Sequence, residues 1–432
     1  MREAYLNKLT SSIGNGMVKV ITGPRRSGKS FLLFNLFVDY LRKQGVTEDH
    51  IVSLALDRKE NLRYRDVDEL AKFFENRRIR DGKKQFFLID EIQLVPPKEN
   101  PWVKGQMITF YDVLNEFLSY EDTEIFVTGS NSHLLSRDIA TEFRGRGWQI
   151  QVRPLSFAEF LSTKDNRSDR FALWDEYWRY GGLPRTVLME KEEDKVEYLR
   201  ETFRITYLND IIERYNLRND EGTLGALAKA ISSSVGSPVS FNKLANTFLS
   251  EKKERIAPKT VERYISYMED AFLINKVQAD SLKGRKFIGA PSKYYFEDLG
   301  LRNAAADFKG NDQEPHYMEN IIYNELALRG YLVSTGRISA NERDQGQQRF
   351  RQYEIDFVCE KGGNRIYVQS AMYIPDIEKM NQEKRPLLMI HDSFQKILIS
   401  KFFSGVSYDN DGILHMNLFD FLIKPNLLLG TV

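Results

Sequence analysis

The chain has a single cysteine, Cys359, among 432 residues. One thiol makes an internal disulfide impossible and leaves a Cys-rich zinc site without ligands. Histidine is nearly as scarce, and five scattered residues argue against a His-built metal centre. No apolar run approaches the roughly 18 residues that a membrane span needs. The opening stretch MREAYLNKLT is polar and charged, so no secretory leader is expected. An excess of one charge is missing too: 62 basic residues stand against 61 acidic, for a net charge of +1. That balance predicts no whole-protein attraction to nucleic acid, while a local basic surface stays open. Low-complexity tracts and internal repeats are absent. These absences together point to a reducing, cytoplasmic setting with no membrane partner.

What is present is ordinary globular material, 42% hydrophobic and 28% charged, in a chain too long for one core. Residues 17–22, MVKVIT, form a short apolar run rich in β-branched residues, which predicts a buried strand. Gly23-Pro24-Arg25-Arg26-Ser27-Gly28-Lys29-Ser30 follows, and then FLLFNLFVDYLRKQG with apolar residues at helical spacing. Strand, Gly-x-x-x-x-Gly-Lys-Ser and helix is the context that a phosphate-cradling P-loop requires. Glycines let the backbone curl so that its N–H groups face phosphate oxygens, and the helix N-terminus adds a favourable partial charge. Residues 23–30 are therefore the candidate site for ATP. Lys29 is expected at the β- and γ-phosphates and Ser30 at Mg²⁺.

Residues 86–92, Phe-Phe-Leu-Ile-Asp-Glu-Ile, read as a hydrophobic strand ending in two carboxylates. Ligands of a parallel α/β sheet sit beyond the carboxyl ends of its strands, so this pair is expected to face the P-loop. Asp90 suits the Mg²⁺ shell, and Glu91 suits polarising the attacking water. A third strand, residues 124–128, runs into Gly129-Ser130-Asn131, where polar side chains could bond the water or the γ-phosphate. Further strands are expected at 51–56 and 148–152, the latter preceded by Arg144-Gly-Arg146-Gly.

This order of P-loop, Asp-Glu strand, polar strand end and Arg-bearing turn resembles the AAA+ ATPases. The similarity is to a prokaryotic group in which the ATPase core is joined to a C-terminal domain of uncharacterised role. FRGRGW (143–148), PLSFAEF (154–160), YGGLPR (180–185) and YLNDIIERYNLRN (207–219) carry it along the chain. The resemblance implies that Ser130 or Asn131 stands at the sensor-1 position. It also implies that Arg146, and less directly Arg144, stands where such proteins place an arginine finger for a neighbouring subunit. Arg185 resembles the sensor-2 arginine of a helical lid.

Residues 156–230 read mainly as helices, which fits such a lid. Residues 226–300 read as a winged helix: two helices, then a third opened by Ala257-Pro258-Lys259, then two short strands around Lys283-Gly-Arg285-Lys286. In a DNA-binding version the third helix would enter the major groove with Lys259, Thr260 and Arg263 outward. A protein-binding or intramolecular module explains the same charges. Beyond residue 306, Glu319 on an amphipathic helix, Asp356 on a strand and Gln369 on the next strand resemble the PD-(D/E)XK nuclease core. Ala371 stands where that core has its lysine, so a degenerate, non-cleaving site is expected, with Lys361 or Arg365 as candidate substitutes.

The expected fold is thus an α/β P-loop sheet at 1–152, a helical lid at 153–225, a winged-helix-like domain at 226–305 and an α/β nuclease-like domain at 306–432. The expected function is Mg-dependent ATP hydrolysis coupled to conformational change, on DNA or a protein partner, with oligomerisation completing the site. A slow nucleotide-gated switch and a DNA-processing enzyme with a live nuclease are the competing readings.

Overall fold

Every strand expected in the first 152 residues lies in one five-stranded parallel sheet. The strands are β1 (Val18–Thr22), β2 (Ile51–Ala55), β3 (Gln85–Asp90), β4 (Thr123–Gly129) and β5 (Gly147–Gln151), in the order β2-β3-β4-β1-β5. The computed structural model describes residues 2–130, 143, 145–165, 169–217, 221–281, 291–309, 314–344 and 347–424. It divides into two compact units, residues 1–154 with 270–272, and the remainder.

In the first unit β1, β3 and β4 are buried along their whole length. Strands covered by helices on both faces read as largely apolar runs, and these do apart from the paired charges Lys19 and Glu124. The register sets Val20 against Val127 and Gln149, and Ile89 against Val127. Thr22, Asp90 and Gly129 therefore reach the same carboxyl edge. Residues 29–43 form one continuous helix after the P-loop, with a π-helical stretch at Leu32–Phe37. An earlier helix, α1 (Glu3–Ser11), precedes β1. The charges inside the sheet are paired, as burial demands. Buried Lys19 bonds Glu124, which also accepts from Lys84 Nζ (2.9 Å) and the Gly14 N–H (2.8 Å).

The second unit opens with helices, among them Arg170–Tyr180, Pro184–Val187 and Glu192–Glu201. Three more follow, Glu221–Ser232, Phe241–Lys252 and Pro258–Asp270, and then an antiparallel pair, β6 (Ile274–Val277) and β8 (Lys293–Phe296). The basic turn at 283–286 lies outside the described residues. The short strand β7 (Ala279–Ser281) joins a seven-stranded mixed sheet with β9 (Leu332–Asp344), β10 (Gln347–Lys361), β11 (Asn364–Ser370), β12 (Gln395–Ser400), β13 (Val406–Tyr408) and β14 (Leu414–Asn417). Its order is β13-β14-β12-β11-β10-β9-β7. The helices Glu314–Leu328 and Ile377–Leu388 stand before β9 and after β11 in the chain.

Candidate functional site

The P-loop curl rests on two glycines with positive φ, Gly23 at 134° and Gly28 at 93°. A Cβ on Gly23 would collide with the Val152 carbonyl, so the close approach of β5's end to the loop requires glycine there. Lys29 is buried, and its ammonium donates to the carbonyls of Gly23 (3.0 Å) and Pro24 (2.9 Å). Burial lowers its pKa to about 8, against the pull of Glu91 and Asp90. The hydroxyls of Thr22 and Ser27 are buried and without a hydrogen-bond partner among the described residues. Arg26 is exposed, with φ 64°.

Asp90 bonds the Ser30 hydroxyl, and burial raises its pKa. The Thr128 hydroxyl donates to Asp90 and accepts the Glu91 N–H at 3.0 Å. One threonine thus ties both carboxylate-bearing residues to β4. Glu91 is left-handed, φ 56° and ψ 49°, which turns the chain out of the strand directly after Asp90. Its carboxylate accepts from the Ser130 hydroxyl at 3.2 Å and from the Gln93 amide, which also donates to Ser130 Oγ at 3.3 Å. Of the residues expected here from sequence, Lys29, Ser30, Asp90, Glu91 and Ser130 are brought together at one sheet edge. Asn131 and Arg144 lie outside the described residues. The donor set of a hydroxyl and a carboxylate already joined, a lysine folded onto carbonyls and two orphaned hydroxyls fits a magnesium-bearing polyphosphate.

Sequence reading missed Thr128, Gln93 and Arg2. Thr128 could have been suspected as a polar residue inside an apolar strand. Arg2 is buried, with Nη1 donating to the Arg153 carbonyl (2.7 Å) and Nη2 to the Ser27 carbonyl (2.6 Å).

Arg146 is exposed and directly precedes β5, whose Gly147 pairs with Val18 and whose Gln151 pairs with Thr22. It therefore lies at the amino end of the sheet, roughly 16 Å along the strands from the P-loop edge at ~3.3 Å per residue. Arg185 is exposed on the helix Pro184–Val187 in the second unit.

The second unit also gathers Glu319, Asp356 and Gln369. Asp356 accepts from the Ser370 N–H and hydroxyl, both at 2.8 Å, and its own N–H donates to Gln369 Oε1 at 3.3 Å. Burial, reinforced by Glu319, pushes Asp356 up to about 7. The cation in this cluster is Lys293 of β8, which pairs with Glu319 at 3.0 Å and with Glu354. Burial disfavours its charge, but Glu319, Asp356 and Glu354 outweigh that and hold the ammonium well above the ordinary lysine range. Tyr295 donates to Glu319 at 2.6 Å. Neither candidate substitute is there: Lys361 donates to the Arg329 carbonyl and Arg365 pairs with Glu360. Among the described residues no group of three or more His, Cys, Asp or Glu is placed to hold a metal ion.

The fold and this site define a P-loop protein of the AAA+ class. Residues 15–161 match the family described as AAA domain, and residues 172–312 match a domain of unknown function, DUF8612. The chain belongs to the same family as an uncharacterized protein of Haemophilus influenzae, 33% identical over 429 residues, covering 98% of both chains. It is also similar to the uncharacterized protein MJ1544 of Methanocaldococcus jannaschii, 28% identical over 381 residues, 85% of this chain and 77% of the other. Among solved structures it is similar to the Aeropyrum pernix ORC1 protein in complex with DNA, with TM-score 0.31, 12% identity, and 71% of this chain and 92% of that one covered. Another is the Bacillus subtilis DNA clamp loader delta protein, with TM-score 0.27, 11% identity, and coverage of 61% and 87%. No helix of the described residues is long and apolar enough to cross a membrane.

Proposed function

We propose that this chain binds ATP with Mg²⁺, hydrolyses it, and uses turnover to rearrange its parts. The observation that carries this reading is the line Ser30–Asp90–Thr128–Glu91–Ser130 at the sheet edge beside Lys29. Lys29 binds phosphate oxygens, which replace the Gly23 and Pro24 carbonyls that its ammonium now holds. Ser30 and Asp90 hold Mg²⁺, which when bound neutralises phosphate charge. Glu91 takes a proton from the attacking water, and Ser130 positions that carboxylate; Asn131 is assigned to the same water. Arg146 is too far along the sheet to serve its own nucleotide, so it supplies its cation to a neighbouring subunit. Arg185 is assigned to the γ-phosphate from the helical lid.

The second unit is read as lid, winged-helix-like segment and nuclease-like domain. The chain order helix, β9, β10, β11, helix, β12 supports the last assignment. Lys293 pairs with Glu319 and so occupies a carboxylate that a catalytic metal ion would need, which supports a domain that does not cleave DNA. The near-zero net charge favours a protein partner over an extended DNA track. Steady-state ATPase rate with and without duplex DNA tests this. A rate indifferent to DNA supports the protein-partner reading, and salt-sensitive stimulation overturns it in favour of a DNA-dependent machine.

A further inference from the structure

Arg2 sits immediately before α1 in left-handed backbone, φ 64° and ψ 15°. Such backbone is uncommon outside glycine, asparagine and aspartate, and it persists where the surroundings fix it. The Arg2 carbonyl accepts the Tyr5 and Leu6 N–H groups, and the Arg2 side chain is held as well. The guanidinium is buried, lies 5.2 Å over the Tyr5 ring, and spans two carbonyls, those of Arg153 and Ser27. Tyr5 is buried too, and its hydroxyl accepts the Arg153 N–H at 3.1 Å. Arg153 follows Val152, whose N–H donates to the Thr22 carbonyl at 2.7 Å and whose own carbonyl crowds Gly23. The start of the chain and the end of β5 thus form a collar around the phosphate loop.

The carbonyl taken by Nη2 is the one that matters for chemistry. The peptide between Ser27 and Gly28 is trans and planar, so its C=O and N–H point in opposite directions. A cation that pins the Ser27 carbonyl on one side turns the Gly28 N–H to the other. That N–H belongs to the Gly-Lys-Ser end of the loop, whose amides cradle phosphate. A charge-assisted bond to the carbonyl also polarises the amide and strengthens its N–H as a donor.

We propose that Arg2 is a positioning residue of the nucleotide site, holding the Ser27–Gly28 peptide in the orientation that presents its N–H to phosphate. This rests on the reading of residues 23–30 as an ATP site. Lysine cannot replace Arg2 fully, because it lacks the planar fork whose two separate nitrogens, Nη1 and Nη2, each take one of these carbonyls.

The test compares KM for MgATP and kcat in wild type, Arg2→Met, Arg2→Lys, Arg2→Ala and Lys29→Ala. Arg2→Met is expected to raise KM on the order of 10- to 100-fold, the usual weight of a hydrogen bond to a charged group, with a much smaller change in kcat. Arg2→Lys falls between, and ethylguanidinium added to Arg2→Ala lowers its KM. A purely structural arginine predicts the opposite split, with fewer active molecules lowering apparent kcat while KM stays at the wild-type value. That result overturns the proposal, and Arg2→Lys alone decides it should the methionine variant not fold. If wild type and Lys29→Ala turn over alike, the ATP-site reading fails instead, which separates the two failures.

Discussion

Asp90 and Glu91 are adjacent carboxylates to which the proposed function gives different duties, and Thr128 touches both residues. Its hydroxyl donates a hydrogen bond to Asp90 and accepts one from the N–H of Glu91. Thr128→Val leaves both partners short of a bond inside the protein, at a cost of about 1–3 kcal/mol in stability. The same change loosens the orientation of a Mg²⁺ ligand, and loss of such a supporting contact weakens metal affinity by roughly 10- to 100-fold. Thermal melting and the Mg²⁺ dependence of ATPase rate read the two effects. Lys29 gives a pH prediction. Its pKa is lowered to about 8, so the folded protein loses this proton at a lower pH than the unfolded chain does. Phosphate binding needs the ammonium form, and apparent ATP affinity is therefore expected to fall as pH rises through about 8, by about tenfold per unit above it. Calorimetric titration between pH 7 and 9.5 measures this, and a flat profile would contradict it. Asp90 and Lys29 were legible in the sequence because strand, loop and helix patterns are local. The roles of Thr128 and Arg2 were not, because their partners lie 38 and 25 residues away, although a polar residue inside an apolar strand was a local hint at Thr128.

The elements themselves were equally uneven to read. β1, β3 and β4 announce themselves as apolar runs because helices cover both faces of the sheet. In sequence, YGGLPR at 180–185 points to the chemistry of Arg185 and gives its glycines no role. Its glycines turn out to be packing requirements within the second unit. Gly182 donates its N–H to Asp298 at 2.7 Å, and a Cβ on it would strike the Leu155 carbonyl. A Cβ on Gly181 would strike the Asp298 carboxylate, and one on Gly300 the Tyr180 carbonyl. Gly182→Ala is therefore expected to destabilise this unit on the order of 3 kcal/mol, seen as a lower unfolding temperature. A change within the error of wild type would contradict this account of the motif. Lys293 shows the converse limit. It precedes Glu319 by 26 residues, on a strand that sequence assigned to a different segment, so its charge could not be credited to the nuclease-like cluster beforehand.

At the scale of the whole molecule, the arrangement of the first unit bears on assembly. Arg146 opens β5 at the amino end of the sheet, while the P-loop leaves from the carboxyl end of β1. An arginine so placed is remote from its own P-loop, and the proposed role for it is in another chain's site. Two inactive variants should then restore each other: Arg146→Ala keeps an intact P-loop, and Lys29→Ala keeps an intact arginine. Mixing them is expected to recover a measurable fraction of wild-type ATPase rate, and the rate per chain should rise with protein concentration. No recovery on mixing, with Arg146→Ala fully active alone, would remove the finger assignment. The central claim is broader than that assignment and is tested by one comparison, the steady-state ATPase rate of wild type, Lys29→Ala and Glu91→Gln with ATP binding measured alongside. Turnover is expected in wild type only, with no binding by Lys29→Ala, and with retained binding and turnover lowered roughly 100-fold or more in Glu91→Gln. Equal turnover in all three would contradict it.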